Sequence, residues 1–206
     1  MGRGGSSGRW RERQKRDSYV QKRDQAGMRS RAGFKLEQLC KSEGLIREGD
    51  CVLDLGAAPG GWAQVAATLV GVEGVVVAVD LLKIEPIVGA TIIEGDCCSD
   101  ATVRAVELAL GGRPVDLVIS DMSPNITGIA IRDEALHEQL VEMSLTYVDS
   151  HLRPGGTLII KLFQYGDTER LVGNIRERFG NVARRKPDAS RSDSREFYVV
   201  AKNFGI

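Results

Sequence analysis

Runs of consecutive apolar residues alternate along this chain with longer stretches of helical periodicity. The runs VVVAV (75–79) and LVIS (117–120) are apolar almost throughout. A strand with one face in water shows alternating polarity, whereas a strand covered on both faces reads as a continuous apolar run. Strands that alternate with helices form a mostly parallel sheet with helices on both faces. The sequence therefore predicts a doubly wound, Rossmann-like α/β domain.

Glycine, proline and polar residues between the runs set the predicted boundaries of the elements. A first helix is predicted from Ser30 to Gly44. Later helices are predicted at Gly61–Val70, Ser99–Leu110, Arg132–Ser150 and Asp167–Phe179. Strands are predicted at Cys51–Leu55, Gly74–Val79, Ala90–Ile93, Val115–Ser120, Thr157–Leu162 and Phe197–Ala201. The last of these six strands is expected to run antiparallel to the others.

The charges are segregated, although 28 basic and 28 acidic side chains balance over the 206 residues. Residues 1–35 carry a net charge of +8, residues 36–183 carry −11, and residues 184–206 carry +3. Residues 1–28 are rich in Gly, Ser and Arg and predict a flexible basic arm. Residues 29–206 predict a single domain. An acidic body with basic ends keeps a nucleic-acid partner possible despite the neutral total.

Several protein classes are excluded by what the chain lacks. The chain contains no run of about 18 apolar residues, the length that is needed to span a membrane. The first 20 residues contain no apolar signal segment. We therefore expect a cytoplasmic protein without a membrane partner. The cysteines are Cys40, Cys51, Cys97 and Cys98. They form no CxxC pair and, with only two histidines in the chain, no zinc framework, so we expect reduced thiols and no metal.

A glycine-rich turn follows the first predicted strand, where residues 54–62 read DLGAAPGGW. Ligands of open α/β sheets bind beyond the carboxyl ends of the strands. Glycine lets the backbone approach a ligand closely, which makes Gly56 and Gly60 candidates for cofactor binding. The spacing is not GxGxxG, and this disfavours a dinucleotide pyrophosphate.

Acidic residues end the next two predicted strands. Asp80 closes VVVAVD and could accept hydrogen bonds from both hydroxyls of a ribose. Asp96 follows the third strand, where it could accept from an adenine amino group. Acids and a glycine turn at neighbouring strand ends favour a cationic nucleoside without phosphates, and S-adenosylmethionine is such a ligand. The alternative is that either Asp caps the segment that follows it.

A second group of residues is expected at the same edge of the sheet. Lys161 lies in an apolar strand, where a lysine is costly unless it is paired or functional. Asp121 follows the neighbouring fourth strand and is its expected partner. Glu196 joins them if the last strand is antiparallel, and Lys35 on the first helix could reach over the edge.

These four side chains suggest methylation of a ribose 2′-hydroxyl. This hydroxyl is a weak nucleophile and must lose its proton during attack, and a neutral lysine can accept that proton. Burial and a second nearby ammonium favour the neutral form, whereas the carboxylates orient the lysines. In-line displacement at a methyl carbon needs no covalent enzyme intermediate.

The chain resembles the FtsJ-like family of ribosomal RNA 2′-O-ribose methyltransferases. The family's K-D-K-E tetrad matches Lys35, Asp121, Lys161 and Glu196. The matching words are SRAGFKL (30–36), DLGAAPGGW (54–62), VDLL (79–82), IEGD (93–96), SDMSPN (120–125) and IKLF (160–163). Within the family, the likeness is to bacterial enzymes that modify a uridine of 23S ribosomal RNA in the large ribosomal subunit.

The resemblance implies roles for particular residues. Lys161 would be the proton acceptor, and S-adenosylhomocysteine would be the product left by the cofactor. The residues that would bind S-adenosylmethionine are Gly60, Trp62, Asp80, Asp96 and Asp121.

Basic residues near the predicted catalytic edge are candidates for RNA binding. Besides the arm, they are Arg31, Arg184, Arg185, Lys186, Arg191 and Arg195. We expect a monomer.

Other functions remain open from sequence alone. A base- or protein-directed methyltransferase shares the fold, but commonly carries an Asn/Asp-Pro-Pro-aromatic word after the fourth strand, where this chain has Asp-Met-Ser-Pro. A non-catalytic RNA-binding assembly factor would have no use for a lysine at a strand end. Nicotinamide-dependent reduction is disfavoured by the missing GxGxxG.

Overall fold

The computed structural model describes residues 27–125, 127–191 and 194–206. The described helices are α1 (Ala32–Glu43), α2 (Gly61–Val70), α3 (Asp100–Leu110), α4 (Ala130–His151) and α5 (Thr168–Arg176). The strands are β1 (Cys51–Leu55), β2 (Val75–Asp80), β3 (Thr91–Glu94), β4 (Val115–Ser120), β5 (Leu152–Phe163), β6 (Phe179–Arg185) and β7 (Glu196–Phe204).

The strands form one sheet in the order β3-β2-β1-β4-β5-β7-β6. The neighbours from β3 to β5 pair in parallel, whereas β7 is antiparallel to both β5 and β6. The predicted doubly wound fold with an antiparallel final strand is therefore confirmed. Because strand order reverses between β1 and β4, their carboxyl ends flank the place where such sheets bind ligands.

Helices cover both faces of the sheet, as the apolar runs predict. On one face, α1 and α2 pack on residues such as Val52, Leu117 and Ile159. On the other, α3, α4 and α5 pack on alternate residues of the same strands, such as Leu53 and Val118. Every residue of β1 is buried, so even Asp54 lies in the interior.

The six-strand prediction misses β6. The helix predicted to reach Phe179 ends at Arg176, and Phe179–Arg185 is a strand on the sheet edge. The sequence FGNVARR has no continuous apolar run because an edge strand is only partly covered. Its pairing with β7 comes from the tertiary structure. The other predicted elements are present, with boundaries shifted at one or both ends in most of them.

Three further sequence-based expectations concern the arm, membrane-spanning helices and the cysteines. The predicted arm, residues 1–28, lies outside the described residues except for its last two positions. No helix among the described residues is long and apolar enough to cross a membrane. All four cysteines are free thiols, and only Cys98 is exposed.

Candidate active site

Lys161 and Asp121 meet at the carboxyl ends of β4 and β5. The parallel register pairs Ser120 with Ile160, so the next residue of each strand reaches the same edge. Lys161 Nζ lies 3.1 Å from Asp121 Oδ1 and donates a 2.5 Å hydrogen bond to the Asp121 carbonyl oxygen. Only 8% of Lys161 is exposed, so Asp121 holds the ammonium group largely out of contact with water.

Lys35 approaches the same edge from α1. Its Nζ donates a hydrogen bond to Glu196 Oε1 and another, of 3.0 Å, to the hydroxyl of Tyr198. The Tyr198 hydroxyl donates in turn to Asp121 Oδ1 at 2.7 Å. The four residues predicted from sequence are therefore brought together, and Tyr198 joins the two lysine pairs into one network.

Tyr198 is a residue that sequence reasoning missed. In the antiparallel register, Tyr198 lies opposite Lys161 and Glu196 lies opposite Phe163, so alternate residues of β7 face the network. Its ring is fully buried beside Trp62, with ring centroids 5.6 Å apart. The available signal was its position two residues after Glu196, which places both side chains on one face of a strand.

The network fixes the ionisation of its two acidic members on β7. Burial, then the negative charges of Asp121 and Glu196, raise the pKa of Tyr198 far above its ordinary value, so the phenol stays a neutral donor. Burial alone would raise the pKa of Glu196, but the charge and hydrogen bond of Lys35 and the charge of Lys161 lower it overall. Glu196 is therefore the anionic partner of Lys35.

A cavity of about 590 Å³ opens beside Asp121, and we call it the large cavity. Its size lies within the range of small-ligand sites, about 300–1,000 Å³. Gly56 has a φ of +72°, and a Cβ there would lie 2.0 Å from Met122 Cγ, so the turn requires glycine. Predicted cofactor residues that line the large cavity are Gly56, Asp80, Asp96 and Asp121.

Asp80 and Asp96 also accept hydrogen bonds from the backbone. Asp80 accepts hydrogen bonds from the N–H groups of Ala58 (2.8 Å) and Leu82 (2.7 Å), and Asp96 accepts from Cys98 (2.8 Å). The capping role weighed as an alternative is thus present. Each carboxylate oxygen has two lone pairs, so both residues retain acceptor capacity toward the large cavity.

A smaller cavity of about 190 Å³ adjoins the large one and shares Gly56, Ala58 and Asp121 with it. We call it the small cavity. Two of its lining residues, Ser30 and Asp54, carry buried oxygens, Ser30 Oγ and Asp54 Oδ2, without a hydrogen-bond partner among the described residues. Because such groups are almost always satisfied in folded proteins, their position favours a polar ligand in the small cavity.

Asp54 is the more unusual of the two. Burial, then the charges of Asp121 and Asp80, raise its pKa well above the ordinary value, and the backbone N–H of Ala63 acts only weakly against them. The sequence placed Asp54 at the start of the glycine turn but assigned it no role. Its location in a covered strand, visible in the sequence pattern, was the signal for a buried acid.

The other two predicted cofactor residues lie around the start of α2. Gly60, with a φ of +100°, precedes the helix, and a Cβ there would lie 2.7 Å from Ile87 Cδ1. Trp62 lines the small cavity, but its ring is buried and its Nε1–H donates to the Ala32 carbonyl at 2.7 Å. The indole therefore has a structural role, and Trp62 could contact a ligand through its backbone N–H, one of the unpaired donors of the first helical turn.

Arg31 and Arg191 line a cavity of about 360 Å³ together with Lys35, Ser194 and Glu196, and we call it the arginine cavity. Burial, then the neighbouring charge of Arg191, lower the pKa of Arg31. Like charges that face one cavity favour an anion between them.

The remaining predicted RNA-binding residues cluster near the ends of β6 and β7. Arg184 pairs with Glu169 at 2.6 Å, and Arg185 pairs with Glu43 at 2.5 Å. Lys186 donates to the carbonyl of Ser194 at 2.8 Å. Arg195 is exposed. Of these candidates for RNA binding, Arg184 and Arg185 are already paired with carboxylates.

No group of three or more His, Cys, Asp or Glu side chains in the described part of the chain could hold a metal ion.

Comparison with known proteins identifies the family. The model of the FtsJ-like methyltransferase family matches residues 28–204. The chain is 44% identical to the ribosomal RNA large subunit methyltransferase E of Alkalilimnicola ehrlichii, covering 97% of this chain and 96% of the relative. It is 46% identical to the protein of the same name from Hahella chejuensis, covering 99% of both.

A solved structure supports the same assignment. A Plasmodium falciparum protein described as a ribosomal RNA methyltransferase superposes with a TM-score of 0.74 at 26% identity, covering 85% of this chain and 98% of the other. The sequence matches run over nearly the whole chain, and the fold agrees with them. The chain belongs to the FtsJ-like methyltransferase family.

Proposed function

We propose that this protein transfers a methyl group from S-adenosylmethionine to the 2′-hydroxyl of a uridine ribose in 23S ribosomal RNA. The observation that carries the proposal is the ion pair of Lys161 and Asp121 at the rim of the large cavity. Lys161 is buried, and the Asp121 carboxylate that holds it lines the large cavity, so the lysine is positioned to exchange a proton with a ligand there.

The two connected cavities fit the cofactor. In the large cavity, Asp80 would accept from the ribose hydroxyls and Asp96 from the adenine amino group. In the small cavity, Asp54 would face the cationic methionine end, while Ser30 and the backbone N–H of Trp62 suit its carboxylate. The otherwise unpartnered oxygens of Ser30 and Asp54 support this fit.

When bound, S-adenosylmethionine supplies an electrophilic methyl group. Once the ammonium of Lys161 has released its proton to solvent, the amine accepts the proton of the attacking 2′-hydroxyl, and Asp121 keeps that amine beside the large cavity. Lys35 remains cationic beside Glu196, where it can stabilise negative charge that develops on the oxygen. Tyr198 fixes Asp121 and Lys35 relative to each other through its two hydrogen bonds.

The RNA part of the proposal is supported by charge and by relatives. The arginine cavity includes both Lys35 and Glu196 in its wall, so an anion bound there lies next to the tetrad. Relatives over nearly the full length are named as methyltransferases of large-subunit ribosomal RNA. We infer that the protein acts as a monomer in the cytoplasm, on RNA in the large ribosomal subunit.

The test is to map methyl groups on ribosomal RNA from cells with and without the gene. Ribose 2′-O-methylation makes the adjoining phosphodiester resistant to alkaline cleavage, and we expect one resistant uridine to be lost with the gene. Purified protein with labelled S-adenosylmethionine should restore it. Label that enters the RNA without alkaline resistance would indicate base methylation and overturn the proposal, as would labelling of protein alone.

A further inference from the structure

A cavity of about 360 Å³ lies between the ends of β5 and β6 and the start of β7, and its lining includes Glu196 but not Lys35. We call it the hairpin cavity. Gln164, Arg184, Phe197 and Ser194 are among its lining residues, together with Glu196. Ser194 and Glu196 also line the arginine cavity, so the two cavities share a wall at the tetrad.

Arg184 forms a flat surface in the hairpin cavity. Its register partner on β7 is Val199, so Arg184 and Phe197 project to the same face of the sheet. The guanidinium carbon lies 5.1 Å from the centroid of the Phe197 ring. The Glu169 carboxylate accepts a 2.6 Å hydrogen bond from the same guanidinium. The plane is therefore oriented before any ligand arrives.

The charge balance of the hairpin cavity differs from that of the arginine cavity. Arg184 is paired with Glu169, and Arg185 shares Glu43 with Lys202. The ammonium group of Lys186 is bound to a carbonyl oxygen, and Arg195 is exposed. A phosphate at Arg184 or Arg185 would have to compete with those carboxylates. A neutral planar group would not, because it can stack on a guanidinium plane or an aromatic ring without displacing either.

Gln164 adds a group that can recognise the edge of a base. Its backbone N–H donates to the Arg195 carbonyl at 3.0 Å, which fixes the residue at the end of β5. Among the described residues, nothing forms a hydrogen bond with its side-chain amide. An amide offers both a donor and an acceptor, as base edges do.

We infer that the hairpin cavity binds a nucleobase next to the target nucleotide, stacked on Arg184 and Phe197, while the arginine cavity holds the RNA backbone. This inference rests on the proposed function, because it takes RNA as the substrate. It adds a base-stacking subsite and separates the basic residues into two roles. Arg31 and Arg191 contact phosphate, whereas Arg184 contacts a base.

The test compares two RNAs that differ only in stacking. One is a single strand of about eight uridines, within the site sizes of single-strand binding proteins. The other carries 5,6-dihydrouridine, which keeps the charge and the sugar but has no aromatic ring. Full-length protein should bind the uridine strand about fivefold or more tightly, given the usual contribution of one stacked base. Fluorescence anisotropy at fixed salt measures both affinities.

Two variants test whether Arg184 and Phe197 cause the preference for uridine. Arg184→Lys keeps the charge and loses the plane, and Phe197→Leu keeps apolar packing and loses the ring. Both should reduce the preference for uridine to near one, while the salt dependence of binding stays unchanged. Arg176→Lys, an exposed arginine on α5 outside the cavity, should keep the wild-type preference. Arg184→Lys lies on the surface, so it remains informative if Phe197→Leu folds poorly.

Equal binding of the two RNAs by the wild type, binding of neither, or an unchanged preference in Arg184→Lys would overturn the inference. The measurement needs no turnover, so its failure is distinct from failure of the proposed function, which would appear in the methylation map.

Discussion

The hydroxyl of Tyr198 donates a 2.7 Å hydrogen bond to Asp121 Oδ1 while it accepts one from Lys35. A single buried phenol thus connects the lysine on α1 with the carboxylate that holds Lys161. Its position explains how residues from four elements keep one arrangement.

Replacing Tyr198 with Phe should loosen this arrangement without emptying the core. The ring would still pack beside Trp62, whereas Asp121 and Lys35 would each lose a partner. We expect the free energy of unfolding to fall by about 1–2 kcal/mol. The kcat for methyl transfer should fall about 3- to 30-fold, with the KM for the cofactor nearly unchanged. Denaturant unfolding and steady-state kinetics measure both, and an unchanged kcat would contradict the positioning role.

Lys161→Ala should remove methyl transfer, because it deletes the amine that Asp121 holds beside the large cavity to accept the proton. The expected loss in kcat is about 10²- to 10⁴-fold, as for other positioned general bases. Cofactor affinity, measured by calorimetry, should stay within a few-fold. Lys83→Ala is the control, since Lys83 is exposed and pairs with the exposed Glu85. Normal turnover in Lys161→Ala would exclude Lys161 as the base.

Asp54 should link cofactor binding to proton release. In the free protein, burial and the charges of Asp121 and Asp80 raise its pKa, so the carboxyl holds its proton above the usual pH range. A cation in the small cavity favours the carboxylate, so binding should release a proton, and affinity should rise with pH until Asp54 ionises in the free protein. Calorimetry in buffers of different ionisation enthalpy counts the protons.

Asp54→Asn offers a second measurement of the same group. A folded pKa above the unfolded value contributes stability at low pH, and this stability is lost as pH rises through the folded pKa. At neutral pH, the variant should therefore unfold at a higher temperature than the wild type without cofactor, yet bind S-adenosylmethionine more weakly and without proton release. Wild-type proton release in Asp54→Asn would assign it to another group.

Glu196→Gln should destabilise the protein near pH 7 by about 1–3 kcal/mol, because buried Lys35 loses its anionic partner. The folded pKa of Glu196 is lowered, so its contribution is present above the ordinary glutamate pKa of about 4.3 and is lost as pH falls through the folded value. Denaturant unfolding of both proteins should show the difference shrinking as pH falls below about 4. A difference independent of pH would mean that packing, not charge, is responsible.

Removing residues 1–26 should weaken RNA binding and its dependence on salt. These residues carry eight basic and three acidic side chains, a net charge of +5. Each phosphate contact that is lost lowers the slope of log K against log salt by about 0.7 for a single strand. Titrations at several salt concentrations measure the slope, and an unchanged slope would show that the arm does not contact RNA.

Much of the fold and part of the site follow from local pattern. The covered strands β1, β2 and β4 are apolar over most of their length, so their parallel arrangement and buried faces are visible in the sequence. The sequence could pair Lys161 with Asp121 because both lie near the carboxyl ends of neighbouring parallel strands, which meet at one edge of the sheet. Strand β6 could not be found, because an edge strand with glycine, asparagine and arginine has no apolar pattern to mark it.

The sequence by itself determined the doubly wound architecture and the types of residue at its catalytic edge. Only the tertiary structure decided how those side chains pair with one another and that Tyr198 connects them. The antiparallel register of β7 places Tyr198 opposite Lys161 and Arg184 diagonally beside Phe197. The fold also pairs Arg184 with Glu169 and Arg185 with Glu43, which are distant in sequence. Register and ion pairing depend on contacts between residues far apart along the chain, and no local periodicity records them.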